Sequence, residues 1–146
     1  MLLKTNFSKV FPNGSVSIGG NHWLKFTSAA AIQAFLPQGG TPVCLTADKI
    51  NPTNKITVFA GQVLALQLNV AFSDAGVTTV GLGNLKITRG ALIGRTVNQV
   101  LYLANQVLGG NISLLPKGMS ISNLNDIITK MNENFDGGTI DLGYLK

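Results

Sequence analysis

Between Ile56 and Phe72 the chain reads ITVFAGQVLALQLNVAF, an uncharged apolar stretch interrupted by Gly61, Gln62, Gln67 and Asn69. From about Thr57 to Phe72 the apolar positions lie on nearly every side of a helical wheel. A helix of that kind has no polar face to give to water, so it must be the buried centre around which other elements pack. Periodicity alone leaves a strand pair open for this window, but its length and its Ala, Leu and Gln content favour helix. The run falls short of the roughly 20 apolar residues that span a bilayer, and no membrane insertion is expected.

Such a centre needs neighbours with one apolar face each, and the rest of the chain supplies them. Leu3, Phe7, Val10 and Phe11 form a stripe that Pro12-Asn13-Gly14 stops. Ser28 is an N-cap for an Ala-rich helix over Ala29 to Leu36, ended by Pro37 and Gly39-Gly40. Thr96 and Gln99 match a capping box ahead of Val97, Val100, Leu101, Ala104, Val107 and Leu108, and Gly109-Gly110 closes that helix. Ser120 or Ser122 opens another, with Ile121, Leu124, Ile127, Ile128, Met131 and Phe135 on one face, Asp126 near its positive end and Gly137-Gly138 after it. Residues Ser15 to Ile18 and Trp23 to Phe26 flank Gly19-Gly20-Asn21 as a β-hairpin, and Asn84 to Thr88 alternates like a strand. Thr41 to Asn54, punctuated by Pro42 and Asn51-Pro52, reads as an ordered loop. The expected fold is α+β: one helix-dominated domain over 1–146, three to five helices around a buried central helix, with a small antiparallel β-sheet from 15–27 and 84–89.

Charged residues are 12% of the 146, about half the usual share of roughly 25%, whereas hydrophobic residues reach 45%. That balance argues against disorder and against a freely diffusing cytosolic enzyme, which keeps more charge on its surface. The net charge of +5 comes from 11 Lys+Arg against 6 Asp+Glu, scattered singly, with Lys86, Arg89 and Arg95 the nearest approach to a cluster. A nucleic-acid footprint needs clustering, so no nucleic-acid partner is expected. The start, Met1-Leu2-Leu3-Lys4, lacks the basic region, apolar run and cleavage site of a signal peptide.

Reactive groups are sparse. Cys44 is the one cysteine, so the chain cannot form an internal disulfide or a metal site on paired thiolates. His22 is the one histidine, and a Cys44–His22 dyad has no carboxylate predictably near to orient the imidazole; Cys44 reads as a small core hydrophobe. Asp126 and Glu133 lie seven apart on one helix, about two turns distant, too far for paired-carboxylate work. Asn132, Asn134, Asp136 and Gly137, with Asp141 beyond, imitate part of a Ca²⁺ loop without its bidentate Glu, and helix C-capping explains the same letters. The glycines make no phosphate-binding motif. No catalytic residue, cofactor or metal is therefore assigned. The amides Gln62, Gln67 and Asn69 are expected to pin Gly-rich loops to the core. Trp23, His22 and Tyr144 are the candidate ligand or interface residues, with Tyr102 a further exposed aromatic; Trp23 in a hairpin could stack on a sugar ring.

Four phrases carry a resemblance: FTSAAAIQAFLPQGGTP (26–42), FAGQVLALQLNV (59–70), TVNQVLYLAN (96–105) and IITKMNENFDGG (127–138). They resemble stretches of uncharacterised secreted and cell-surface proteins of Bacteroidetes-like and other Gram-negative bacteria, in which a similar module lies beside other extracellular domains. The resemblance covers most of the chain. It implies an extracellular or cell-surface location and no named activity. It also implies a Gly- and aromatic-rich upstream segment that this chain lacks, and an aliphatic or small residue where Cys44 stands. Taken with the lean charge, the expectation is a non-enzymatic extracellular structural or interaction module. It would self-associate, as a homo-oligomer, or pack with neighbouring proteins in a surface layer, filament or matrix. The alternative is a small carbohydrate- or ligand-binding module of a secreted protein.

Overall fold

A computed structural model describes residues 2–135 and 143–146. In chain order the elements are helix α1 (Leu2–Val10), strands β1 (Val16–Gly19) and β2 (Trp23–Phe26), helix α2 (Ala29–Phe35), strand β3 (Lys49–Ile50), and helices α3 (Val58–Asp74), α4 (Val97–Leu108) and α5 (Ile121–Asn134). Short 3₁₀ turns lie at Leu82–Asn84 and Ile112–Leu114. This is the α+β class, with five helices and a small three-stranded sheet among the described residues.

The all-round apolar stretch is α3, and it is the centre. Phe59, Ala60, Val63, Leu64, Leu66, Val70 and Phe72 are all buried although they point in different directions around the helix. Its N-cap Thr57, fully buried, accepts from the Phe59 amide, donates to the Thr41 carbonyl and accepts from the Val43 amide. One hydroxyl thus starts the helix and fastens the preceding loop. α4 and α5 pack against α3 through their stripes, and β1 adds a third side. Phe26 and Phe35, with ring centroids 5.0 Å apart, join the hairpin to α2. Each such fully buried side chain contributes on the order of 2 kcal/mol of transfer free energy.

Both late helices open with reciprocal caps. Thr96 accepts from the Gln99 amide while Gln99 accepts from the Thr96 amide, and Ser120 and Asn123 do the same for α5, which settles Ser120 over Ser122.

The sheet differs from the expectation. β1 and β2 pair antiparallel, Val16 opposite Phe26 and Gly19 opposite Trp23, but the third strand is β3, parallel to β2, with Leu24 opposite Lys49. β3 lies in the stretch expected to be loop. Residues 84–89 do not join this sheet. Lys86 exchanges backbone hydrogen bonds with Lys146, Ile87 bridges Leu145, and the Gly90–Gly94 turn folds the chain back so that the Ile87 amide donates to the Arg95 carbonyl. Asn84 ends a 3₁₀ turn rather than starting a strand, and only Lys86 and Ile87 pair as extended backbone, with Thr96 and with Leu145.

The central amides also have a different task from the one expected. Asn132 on α5 donates to both the carbonyl and the side-chain oxygen of Gln62 and accepts from Asn69. Asn105 on α4 donates to Gln67 and accepts from the Gly19 amide at 2.8 Å. These amides join helix to helix, and in one place helix to hairpin, instead of pinning Gly-rich loops. A half-buried amide is satisfied most economically by another amide on the facing helix, because each supplies both donor and acceptor.

Candidate functional site

His22 and Trp23 sit at the start of β2, and β3 runs beside them. The parallel register that sets Lys49 opposite Leu24 brings the preceding residue, Asp48, to Trp23. One Asp48 carboxylate oxygen accepts from the Trp23 backbone amide at 3.1 Å and lies 3.2 Å from the His22 Nδ1. The sequence offered no carboxylate near His22; the fold supplies one. Both side chains are nearly half exposed, 46% for His22 and 44% for Asp48, so their attraction is screened by water and the pair is worth less than about 1 kcal/mol. Chemically, a carboxylate on Nδ1 selects the tautomer that leaves Nε2 as an acceptor. Trp23, half-buried, lines a shallow hollow of about 420 Å³ with Ser17, Gly19, Gly20 and Lys25.

Tyr144 is not part of that group, and it is not an exposed aromatic: it retains 5% of its accessible surface. Its amide donates to the Asn134 side-chain oxygen, and its carbonyl accepts from both the amide and the hydroxyl of Thr88. The Arg89 guanidinium lies over its ring, 5.5 Å from the centroid. Burial raises the phenol above its ordinary value of 10.0, and the Arg89 charge opposes that shift more weakly, so the hydroxyl stays protonated near neutral pH. Tyr144 forms part of the lining of a hollow of about 500 Å³ bounded by the 89–91 loop, the 116–119 turn and the first turns of α5.

Tyr102, by contrast, is 65% exposed on the outer face of α4. With Leu103, Leu114, Asn98, Gln99 and Arg95 it borders a third depression, of about 550 Å³. Cys44 is half-buried and is not a member of the core. Asn132 and Asn134 lie inside α5, not at its cap, and their side chains face Gln62, Asn69 and the Tyr144 amide; Phe135 is the C-cap. Asp136, Gly137, Gly138 and Asp141, the remaining letters of the Ca²⁺-like pattern and of the helix stop, lie outside the described residues. Among the described residues no three His, Cys, Asp or Glu side chains converge on a metal-sized point, and no helix is long and apolar enough to cross a membrane.

Comparison with protein-family models, with curated proteins and with solved structures finds no match to this chain. The structure unites two of the three sequence candidates, His22 and Trp23, adds Asp48 to them, and moves Tyr144 to a different site. The sequence carries one local sign of Asp48, namely that an Asp can accept from neighbouring backbone amides, and no sign of which amide.

Proposed function

We propose that the chain is a non-enzymatic extracellular or cell-surface interaction module that associates with copies of itself through the outer face of α4. The observation that carries this reading is the set of large apolar side chains left in water there: Tyr102 at 65% exposure, Ile112 at 48% and Leu114 at 44%. Tyr102 and Leu114 border a depression whose other walls are Leu103, the amides Asn98 and Gln99, and one cation, Arg95. A face that is apolar and nearly uncharged gains by covering a like face, and aromatic anchors dominate such contacts. The small share of charged residues, 12%, supports the same reading, because few charges have to be stripped of water when such a face is covered.

Sedimentation equilibrium across a concentration series tests it. The wild-type mass should rise above 15.4 kDa with concentration, and Tyr102→Ser with Leu114→Asn should return it to the monomer without loss of stability. A wild type that stays monomeric to about 1 mM, where even a weak contact of about 4 kcal/mol would show, would sink the proposal.

A second reading is favoured by a separate observation, the hollow that Trp23 lines with Ser17 and Lys25. An indole beside a hydroxyl and an ammonium suits a sugar ring, which stacks by its apolar face and exchanges hydrogen bonds through its hydroxyls. Glycan-array binding by wild type that disappears in Trp23→Ala supports carbohydrate recognition, and an array without saturable binding ends it.

A further inference from the structure

The hollow over Tyr144 has a composition unlike the rest of this sparsely charged surface. Among the described residues, three of the chain's 11 basic residues, Arg89, Lys117 and Lys130, line it, with one carboxylate, Asp126. Among the described residues none of the three cations has a carboxylate within ion-pair distance; the His22–Asp48 contact is the one such pair. Between the cations the lining is apolar, from Met119, Ile127 and the Tyr144 ring. The walls are fixed by local structure. The 90–93 turn closes through Ile93 to Gly90 at 3.2 Å, the 116–119 turn through Met119 to Pro116 at 3.0 Å, and the α5 wall begins at a reciprocal cap. Tyr144 is held by the Thr88 and Asn134 contacts described above.

We infer that this hollow binds a small organic anion, a carboxylate joined to an aromatic or short aliphatic body. Three cations, one each from the 89–91 loop, the 116–119 turn and α5, supply positive charge around the hollow for an anionic group. The apolar lining from Met119 and Ile127 takes the body of the ligand, above Tyr144, which is 5% exposed and covered by Arg89. The volume, about 500 Å³, falls within the usual range for small-ligand sites. Arg89 is already oriented by stacking on Tyr144, so less freedom is lost when it meets a carboxylate. The site is independent of the α4 face and stands or falls without it.

Titration of the full chain, followed by amide ¹H–¹⁵N chemical shifts, tests the inference with four probes: benzoate, octanoate, neutral benzamide and inorganic phosphate. Both carboxylates should give saturable shifts at Gly90, Gly118, Met119 and Ile127, weakening with added salt. Benzamide should bind at least about tenfold more weakly for want of charge-assisted hydrogen bonds. Phosphate, which has no apolar body, should also be weaker. Arg89→Gln with Lys117→Gln, both exposed positions, should weaken benzoate about tenfold or more while leaving the remaining spectrum unchanged. Asp126→Asn should tighten it about twofold by removing an opposing charge. The inference is overturned by benzamide binding as tightly as benzoate, by shifts centred elsewhere, by unchanged affinity in the double variant, or by no saturation with either carboxylate up to about 10 mM.

Discussion

Helices α4 and α5 pack on the same central helix, open with the same kind of reciprocal cap and send one asparagine each toward α3, but they turn different faces outward. α4 presents Tyr102, with Leu114 beside it and amides around them. α5 presents Asp126 and Lys130 to a hollow shared with Arg89 and Lys117. Their inner halves are alike because α3 demands the same thing of both, an apolar stripe relieved by an amide partner. Their outer halves are free of that demand and differ in chemistry, neutral and apolar on α4, charged around an apolar lining on α5. Inner likeness is about stability, and outer difference is where the two proposed binding roles separate.

The largest test of this comparison lies at the end of α4. A Cβ on Gly109 would stand 2.2 Å from the Gly20 nitrogen and 2.6 Å from its Cα, contacts with backbone that no side-chain rotation can relieve. Gly109→Ala should cost about 3 kcal/mol in urea unfolding, as forced overpacking does. A cost below about 0.5 kcal/mol, the range of an ordinary surface change, would show that α4 is not seated on the hairpin as described.

Next come the asparagines. Asn132→Ala and Asn105→Ala should each cost about 2 kcal/mol, since each removes several hydrogen bonds and leaves half-buried partners unpaired. Only Asn105→Ala should also speed hydrogen exchange at the Gly19 amide, because Asn132 touches α3 alone. Equal exchange in both variants would erase the distinction between an amide that ties two helices and one that ties a third element to them.

The smallest effect concerns the α5 side and pH. The Tyr144 phenol titrates above its ordinary 10.0 in the folded chain, so the folded state holds this proton when the unfolded chain begins to lose it. The contribution is complete below the unfolded value and is lost as pH climbs through the raised folded one. Tyr144→Phe should flatten that alkaline decline in thermal unfolding while leaving the neutral-pH melting profile close to wild type. An unchanged alkaline slope would mean that the phenol is not buried at the hollow.

What could be read from the sequence were the features decided within a few residues or by periodicity. Thr96 with Gln99 and the stripe from Val97 to Leu108 gave α4 directly, and Ser28 gave the start of α2. The burial of α3 followed from its lack of a polar face. Features decided across the chain were hidden. Lys49 and Ile50 are both exposed, so β3 shows no alternation, and the approach of Asp48 to His22 across 26 residues depends wholly on that short pairing. Tyr144 looked free because nothing beside it in sequence holds it; Thr88 and Asn134 fasten its backbone from other elements. The amides Gln62, Gln67 and Asn69 were legible as buried polar groups, but their partners, Asn105 and Asn132, stand on other helices, which periodicity does not name.

The bond from the Gly19 amide to Asn105, spanning 86 residues, has a consequence for the order in which the chain is assembled. A hairpin closes by itself in roughly 1–10 μs. Its turn, however, is fastened by residues that a ribosome delivers roughly 4 to 17 s later at 5–20 residues per second. For that interval β1 and β2 exist without their anchor, and the Gly19 and Gly20 corner is completed only when α4 arrives.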